Sequence, residues 1–200
     1  MTVDDLIDDI SAELMGCPRP AIVRALTLTA QHMARNAGIW QADADDIFIA
    51  KNIKTYEIAG PNRSTVMRIT RVIDEDGNVL KPSSPYTTSQ TGNPSYYWYD
   101  GAEMTVAPIP DKRAKLVATA VLIPDSVNSL PDNIVTREAD VLRAGAVSRL
   151  RRQLGEQWGN ASLATAADAE YQKLLGDSRK RSLQGQVAGR LTTQYRRLGY

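Results

Sequence analysis

The sequence predicts an α+β fold. An antiparallel helical bundle forms from N- and C-terminal helices, a small antiparallel β domain is inserted between them, and an extended C-terminal tail follows. Three observations predict it. Apolar residues recur at helical spacing at both ends of the chain. Between residues 47 and 123 the period drops toward two. After Asp177 the acids stop while arginines and glycines continue. The expected division is 1–45 plus 128–182 for the bundle, 46–127 for the β insertion and 183–200 for the tail.

Residues 3–15 read as a helix with Val3, Leu6, Ile7, Ile10 and Leu14 on one face. Thr2 and Asp5 form a capping-box pattern, with Asp in place of the usual Glu. Gly16, Pro18 and Pro20 end it. Residues 20–40 read as a second helix, striped by Ile22, Leu26, Ala30, Met33, Ala37 and Trp40. Residues 41–46 are polar and read as a connector. Strands are expected at 47–50, 53–58 and 64–73, with an Asp76-Gly77 turn before Val79 and Leu80. Residues 81–95, rich in Pro, Ser, Thr, Gly and Asn, read as a loop of about 15 residues, long enough to be functional or mobile.

Residues 96–100 (YYWYD) form an aromatic strand, turned back at Asp100-Gly101 through Met104 and Val106. Residues 115–123 are apolar on both faces, the pattern of a strand buried on both sides. A long helix opens near Pro131, striped by Val135, Ala139, Leu142, Ala146, Leu150 and Leu154. Its Ala144, Gly145 and Ala146 would admit a second helix at close range. Gly159-Asn160 breaks the chain before a last helix through Leu163, Ala167, Tyr171, Leu174 and Leu175, whose pattern fades beyond Gly176.

Composition narrows the function. Two hundred residues with 42% apolar and 24% charged side chains can bury a core. A net charge of +1 argues against a protein that seeks polyanions with its whole surface. The ends are polarised: Asp4, Asp5, Asp8, Asp9 and Glu13 at one, Arg179, Lys180, Arg181, Arg190, Arg196 and Arg197 at the other. Such asymmetry points to partners or neighbouring subunits of opposite sign. Cys17 stands alone, so no intrachain disulfide forms, and a reducing compartment is expected. No stretch approaches the roughly 18 apolar residues that span a bilayer. The acidic N-terminus is unlike a signal peptide, so synthesis in the cytosol without a cleaved export signal is expected.

Catalytic chemistry finds little support. His32, the sole histidine, lies off its helix stripe and reads as a surface or subunit-contact residue. No Cys/His cluster offers a zinc site. Asp43, Asp45 and Asp46 resemble a calcium-loop fragment, but Phe48 and Lys54 stand where Gly and Glu are required. No phosphate-binding glycine loop or nucleophile motif occurs. No enzyme, cofactor or metal is expected. The YYWY strand is flanked by Asp100 and Glu103 rather than bases, which favours packing over base stacking. The run Arg149, Arg151, Arg152 reads equally as a phosphate contact or a solvated helix face. A nucleic-acid-binding accessory protein using the basic C-terminus is the alternative function.

Several weak motifs occur in a telling order: a helical pair closing at Trp40, a β insertion, Tyr99-Asp100-Gly101, Met104-Thr105-Val106-Ala107-Pro108, a strand ending at Pro124, Leu130-Pro131-Asp132, and Arg143-Ala144-Gly145-Ala146. In this order the chain resembles the head-to-tail adaptors of short-tailed phages, the tail tubular protein A group. One departure is Tyr56-Glu57-Ile58-Ala59-Gly60-Pro61, where that family often has a Leu-Pro pair. The resemblance implies a structural virion protein of the neck and tail, assembled in the host cytoplasm. It implies a ring, commonly twelvefold, that docks on the portal protein, meets a tail nozzle or other tail protein below, and passes DNA through its channel. It further implies that the C-terminal tail binds the portal. Arg190, Arg196 and Arg197 would then meet acidic surface, with Leu183, Leu191, Tyr195, Leu198 and Tyr200 as anchors.

Overall fold

The computed structural model describes residues 1–84 and 89–186, with side chains through Leu183. Helix α1 (Val3–Glu13) starts at the capping box: the Asp5 amide donates to Thr2 Oγ1 at 3.2 Å and the Thr2 amide to Asp5 Oδ2 at 2.6 Å. The bonds from Thr2 hold the Asp5 carboxyl below its ordinary range. Helix α2 (Arg19–Ala37) ends three residues earlier than its apolar stripe suggests. Gly38 adopts a left-handed conformation, φ 60°, which any residue with a Cβ adopts at a cost. That turn swings Ile39 and Trp40 into the core, and the Trp40 carbonyl accepts the Leu122 amide at 3.0 Å.

Ten strands follow among the described residues: β1 (Gln41–Asp43), β2 (Ile47–Ile49), β3 (Thr55–Glu57), β4 (Ser64–Asp74), β5 (Val79–Pro82), β6 (Thr91–Gly92), β7 (Tyr96–Tyr99), β8 (Glu103–Ala107), β9 (Ile109–Pro110) and β10 (Ala114–Pro124). Eight form one sheet in the order β1-β10-β4-β5-β7-β8-β3, with β2 also paired to β10. All pairings in it are antiparallel except β5 with β7. Two register shifts between β4 and β10 bend the sheet, and the Tyr56 hydroxyl of β3 reaches the turn beyond β2, accepting the Ala50 amide at 3.0 Å and donating to the Ile53 carbonyl.

Two expected loops are partly strand. The polar 41–46 connector contains β1, paired with β10; Asp43 Oδ1 accepts from Thr119 Oγ1 at 2.7 Å and Asp46 pairs with Lys115 at 2.7 Å. The 81–95 segment begins inside β5 and contains β6, which pairs with β9. Its length has a structural reason, because β5 and β7 run parallel and only a long crossover joins parallel strands. β10 alternates buried and half-buried as far as Thr119, then is buried continuously over Ala120, Val121 and Leu122. Its two-sided burial is thus confined to the part beyond the first of the two register shifts.

A 3₁₀ turn (Val127–Ser129) leads to α3 (Asp132–Arg137), α4 (Ala139–Arg151) and α5 (Ala161–Gln186). The single long helix expected from Pro131 is interrupted at Glu138, φ −107° and ψ 16°. It also stops at Arg151, so Leu154 is 76% exposed rather than part of the stripe. α5 passes through Gly176 without a break. α2 packs on β10 and on α4, and α4 packs on α5. One continuous cluster joins Ile10, Leu26, Met33, Leu116, Leu122, Leu142, Leu150 and Tyr171. The protein is α+β, with five α-helices and a bent, largely antiparallel sheet among the described residues.

Candidate assembly interface

Helix α4 approaches two other helices closely at Gly145. A Cβ added at Gly145 would lie 2.4 Å from Thr29 Cγ2 of α2 and 2.8 Å from the Tyr171 ring of α5. The small residues read from the sequence do admit neighbouring helices here, two at once. Tyr171 Oη lies 2.6 Å from His32 Nδ1, with the rings 5.7 Å apart. His32 therefore ties α2 to α5 within the chain; it is half-buried rather than a free surface residue. Burial pushes the Tyr171 hydroxyl up to about 12, and burial, with Arg149 and Arg35, pushes the His32 imidazole below its usual range.

The sign of the resulting pH effect is fixed. A lowered His32 pKa means that the unfolded chain binds the proton first as pH falls. Its stabilising share is complete above about pH 6.5 and is lost as pH drops below that value. Thermal melting between pH 5 and 8 is expected to show a fall in stability on the acid side that shrinks in His32→Gln.

The end of α5 is fastened to the body by charge. Glu138, only 1% exposed, accepts from Arg137 Nε at 2.8 Å and from Arg181 Nη2 at 2.9 Å. Arg137 also donates to the Ile39 carbonyl at 2.9 Å, and Ser182 Oγ to the Gly38 carbonyl at 3.0 Å. These groups line a cleft of about 370 Å³ between the α2–β1 corner, α3 and α5. A carboxylate so deeply buried is tolerated only because both guanidiniums reach it. On the far side, Glu13 at the end of α1 accepts from Arg143 and Arg151, each at 2.8 Å. Burial alone would raise the Glu13 carboxyl, but those two arginines outweigh it and hold the pKa down.

A family model described as SU10 adaptor protein matches residues 1–194. The chain belongs to the SU10 adaptor protein family. No curated protein matches it. Membership makes this adaptor a structural protein of a bacteriophage, a component of the virion. No helix among the described residues is long and apolar enough to cross a membrane.

The adaptor's expected site residues divide in two. Leu183 sits in the last turns of α5, 51% exposed and one residue beyond the Ser182 tie. Arg190, Leu191, Tyr195, Arg196, Arg197, Leu198 and Tyr200 lie outside the described residues. The basic run is largely committed: Arg151 to Glu13, Arg152 to Asp168 at 2.9 Å. The aromatic strand serves packing, with Tyr97 buried and the Tyr99 hydroxyl donating to the Val66 carbonyl at 2.9 Å. Sequence reading missed the Glu138–Arg181 clamp. Its trace was there: Glu138 falls three residues after Val135 and four before Leu142, an acid on the apolar stripe.

Proposed function

We propose that this protein is a ring-forming head-to-tail adaptor that docks onto the portal through its C-terminal segment, connects capsid to tail, and leaves a channel for genome passage. In this reading the terminal helices act as an antiparallel bundle forming the ring wall. The 46–127 β insertion projects from it toward neighbours and the tail nozzle. Twelvefold symmetry would match a dodecameric portal. The observation that carries the proposal, beyond family membership, is the anchoring of α5. The Arg181–Glu138 and Ser182–Gly38 bonds hold its end to the body, so everything after it departs from a fixed point. A segment with arginines and tyrosines launched from there gains area and hydrogen bonds on docking. Repetition around a ring multiplies weak contacts, because each bound segment raises the local concentration of the next.

Deleting residues 183–200 leaves both ties intact. The truncated chain is expected to keep its helical and sheet signals in circular dichroism and to lose co-sedimentation with portal rings. Unchanged co-sedimentation would sink the docking claim. Tight, steeply salt-dependent DNA binding by a protein that never joins a portal would instead support the nucleic-acid alternative.

A further inference from the structure

A groove of about 650 Å³ opens between α2 and the C-terminal end of α4. Its floor is apolar, Ala21 with Leu28, which is 42% exposed. Its rim is basic: Arg24 from α2, Arg149 and Arg152 from α4. Arg152 is shared with Asp168, but Arg24 and Arg149 have no carboxylate at ion-pair distance among the described residues. An exposed apolar strip framed by uncompensated cations suits an acidic partner with an apolar foot.

The same chain carries such an element. Asp5, Asp8, Asp9 and Ala12 recur at helical spacing on the solvent face of α1, all exposed. Met15, just past the end of that helix, is 82% exposed. Arg19 occupies Asp4 and, at 3.6 Å, Asp8, which leaves Asp9 without an ion pair among the described residues. The two features cannot meet within one copy. Glu13 places α1 on the side of α4 that bears Arg143 and Arg151. Arg149 lies two residues from Arg151, about 200° round the helix, so the groove opens on the other side.

We propose that the acidic outer face of α1 in one copy docks in the Arg24–Arg149–Arg152 groove of the next, with Met15 covering Leu28. The contact joins unlike faces on opposite sides of the subunit, and repeating it generates a ring if the rotation closes. The proposal rests on the ring reading above and supplies its subunit contact. A DNA backbone would satisfy the arginines but leave Leu28 uncovered.

Charge reversal tests it. Full-length Asp8→Lys/Asp9→Lys and Arg24→Glu/Arg149→Glu are each expected to self-associate about tenfold more weakly than the wild type or worse, by sedimentation with and without portal rings. An equimolar mixture should recover wild-type association, because every contact in an alternating ring then pairs opposite charges. A mixture as weak as its parts, or single variants that associate normally, would overturn the proposal while leaving the ring reading standing. So would loss of duplex DNA binding in Arg24→Glu/Arg149→Glu with self-association unchanged. Failure of the wild type to self-associate even on the portal overturns both. Should a reversal variant fail to fold, Cys17→Ser copies bearing Met15→Cys or Leu28→Cys provide a second measurement. Mixed and oxidised, they should form intermolecular disulfides, and no cross-linking under those conditions counts against the contact.

Discussion

Gly145→Ala is expected to lower the stability of this protein by about 3 kcal/mol, the upper part of the usual range for an overfilled core. The added methyl would sit 2.4 Å from Thr29 Cγ2 and 2.8 Å from the Tyr171 ring, well inside contact distance. Neither neighbour yields easily. Thr29 is fully buried, and its hydroxyl donates to the Ala25 carbonyl at 2.8 Å, which fixes its rotamer. Tyr171 is held from the other side by His32. The strain must therefore separate helices, and α4 meets α2 and α5 together at Gly145. For a chain of this length the melting temperature should fall by roughly 6–12 °C. The same substitution at Gly176 serves as a control. Nothing lies within 4 Å of a Cβ there, so alanine should stabilise α5 by about 0.5–1 kcal/mol. Adding Thr29→Ser to Gly145→Ala removes one of the two clashes and should recover part of the loss, a coupling that a double-mutant cycle reads directly. Equal melting temperatures for Gly145→Ala and the wild type would show that the helices are not in contact as described.

The elements legible in the sequence are those whose signal is local. α1, α2, β4 and β10 announce themselves by apolar period and by caps, because burying one face requires that period. β1 and β6 did not. Gln41-Ala42-Asp43 and Thr91-Gly92 have no strand signature, and they are extended only because β10 and β9 lie beside them. Gly176, beyond which the apolar pattern fades, does not end α5. A helix-interior glycine costs about 1 kcal/mol, and the packing of α5 along α4 exceeds that easily. The partner of Glu138 was invisible because Arg181 lies 43 residues away in sequence. Of the expected portal-binding set only Leu183 is described, so that assignment rests on charge pattern and resemblance. The anchoring clamp beside it rests on geometry.

Removing the Glu138 carboxylate should release the end of α5 before anything else. The acid is 99% buried and joins three segments: α3 through Arg137, α5 through Arg181, and the α2–β1 corner through the Arg137 bond to Ile39. Deleting one member of a fully buried pair typically costs about 3–5 kcal/mol because a charge is stranded without water. Here the stranded groups would be Arg137 and Arg181, whose side chains are 50% and 49% exposed and can rehydrate. Glu138→Ala should thus cost somewhat less, about 2–4 kcal/mol including the cavity. Arg181→Met poses the reverse case, since the buried carboxylate then keeps Arg137 alone. The combination Glu138→Leu/Arg181→Met removes both charges and fills the site, and it should regain most of the loss, as apolar replacement of buried ion pairs often does. Amide exchange is the discriminating measurement. Both single variants should speed exchange in residues 177–183 while 163–175, held by Tyr171 and Leu175, stay protected. The apolar double variant should restore protection to the same turns. Uniform acceleration along α5 would mean that Glu138 supports the global core rather than the point from which the C-terminal segment departs.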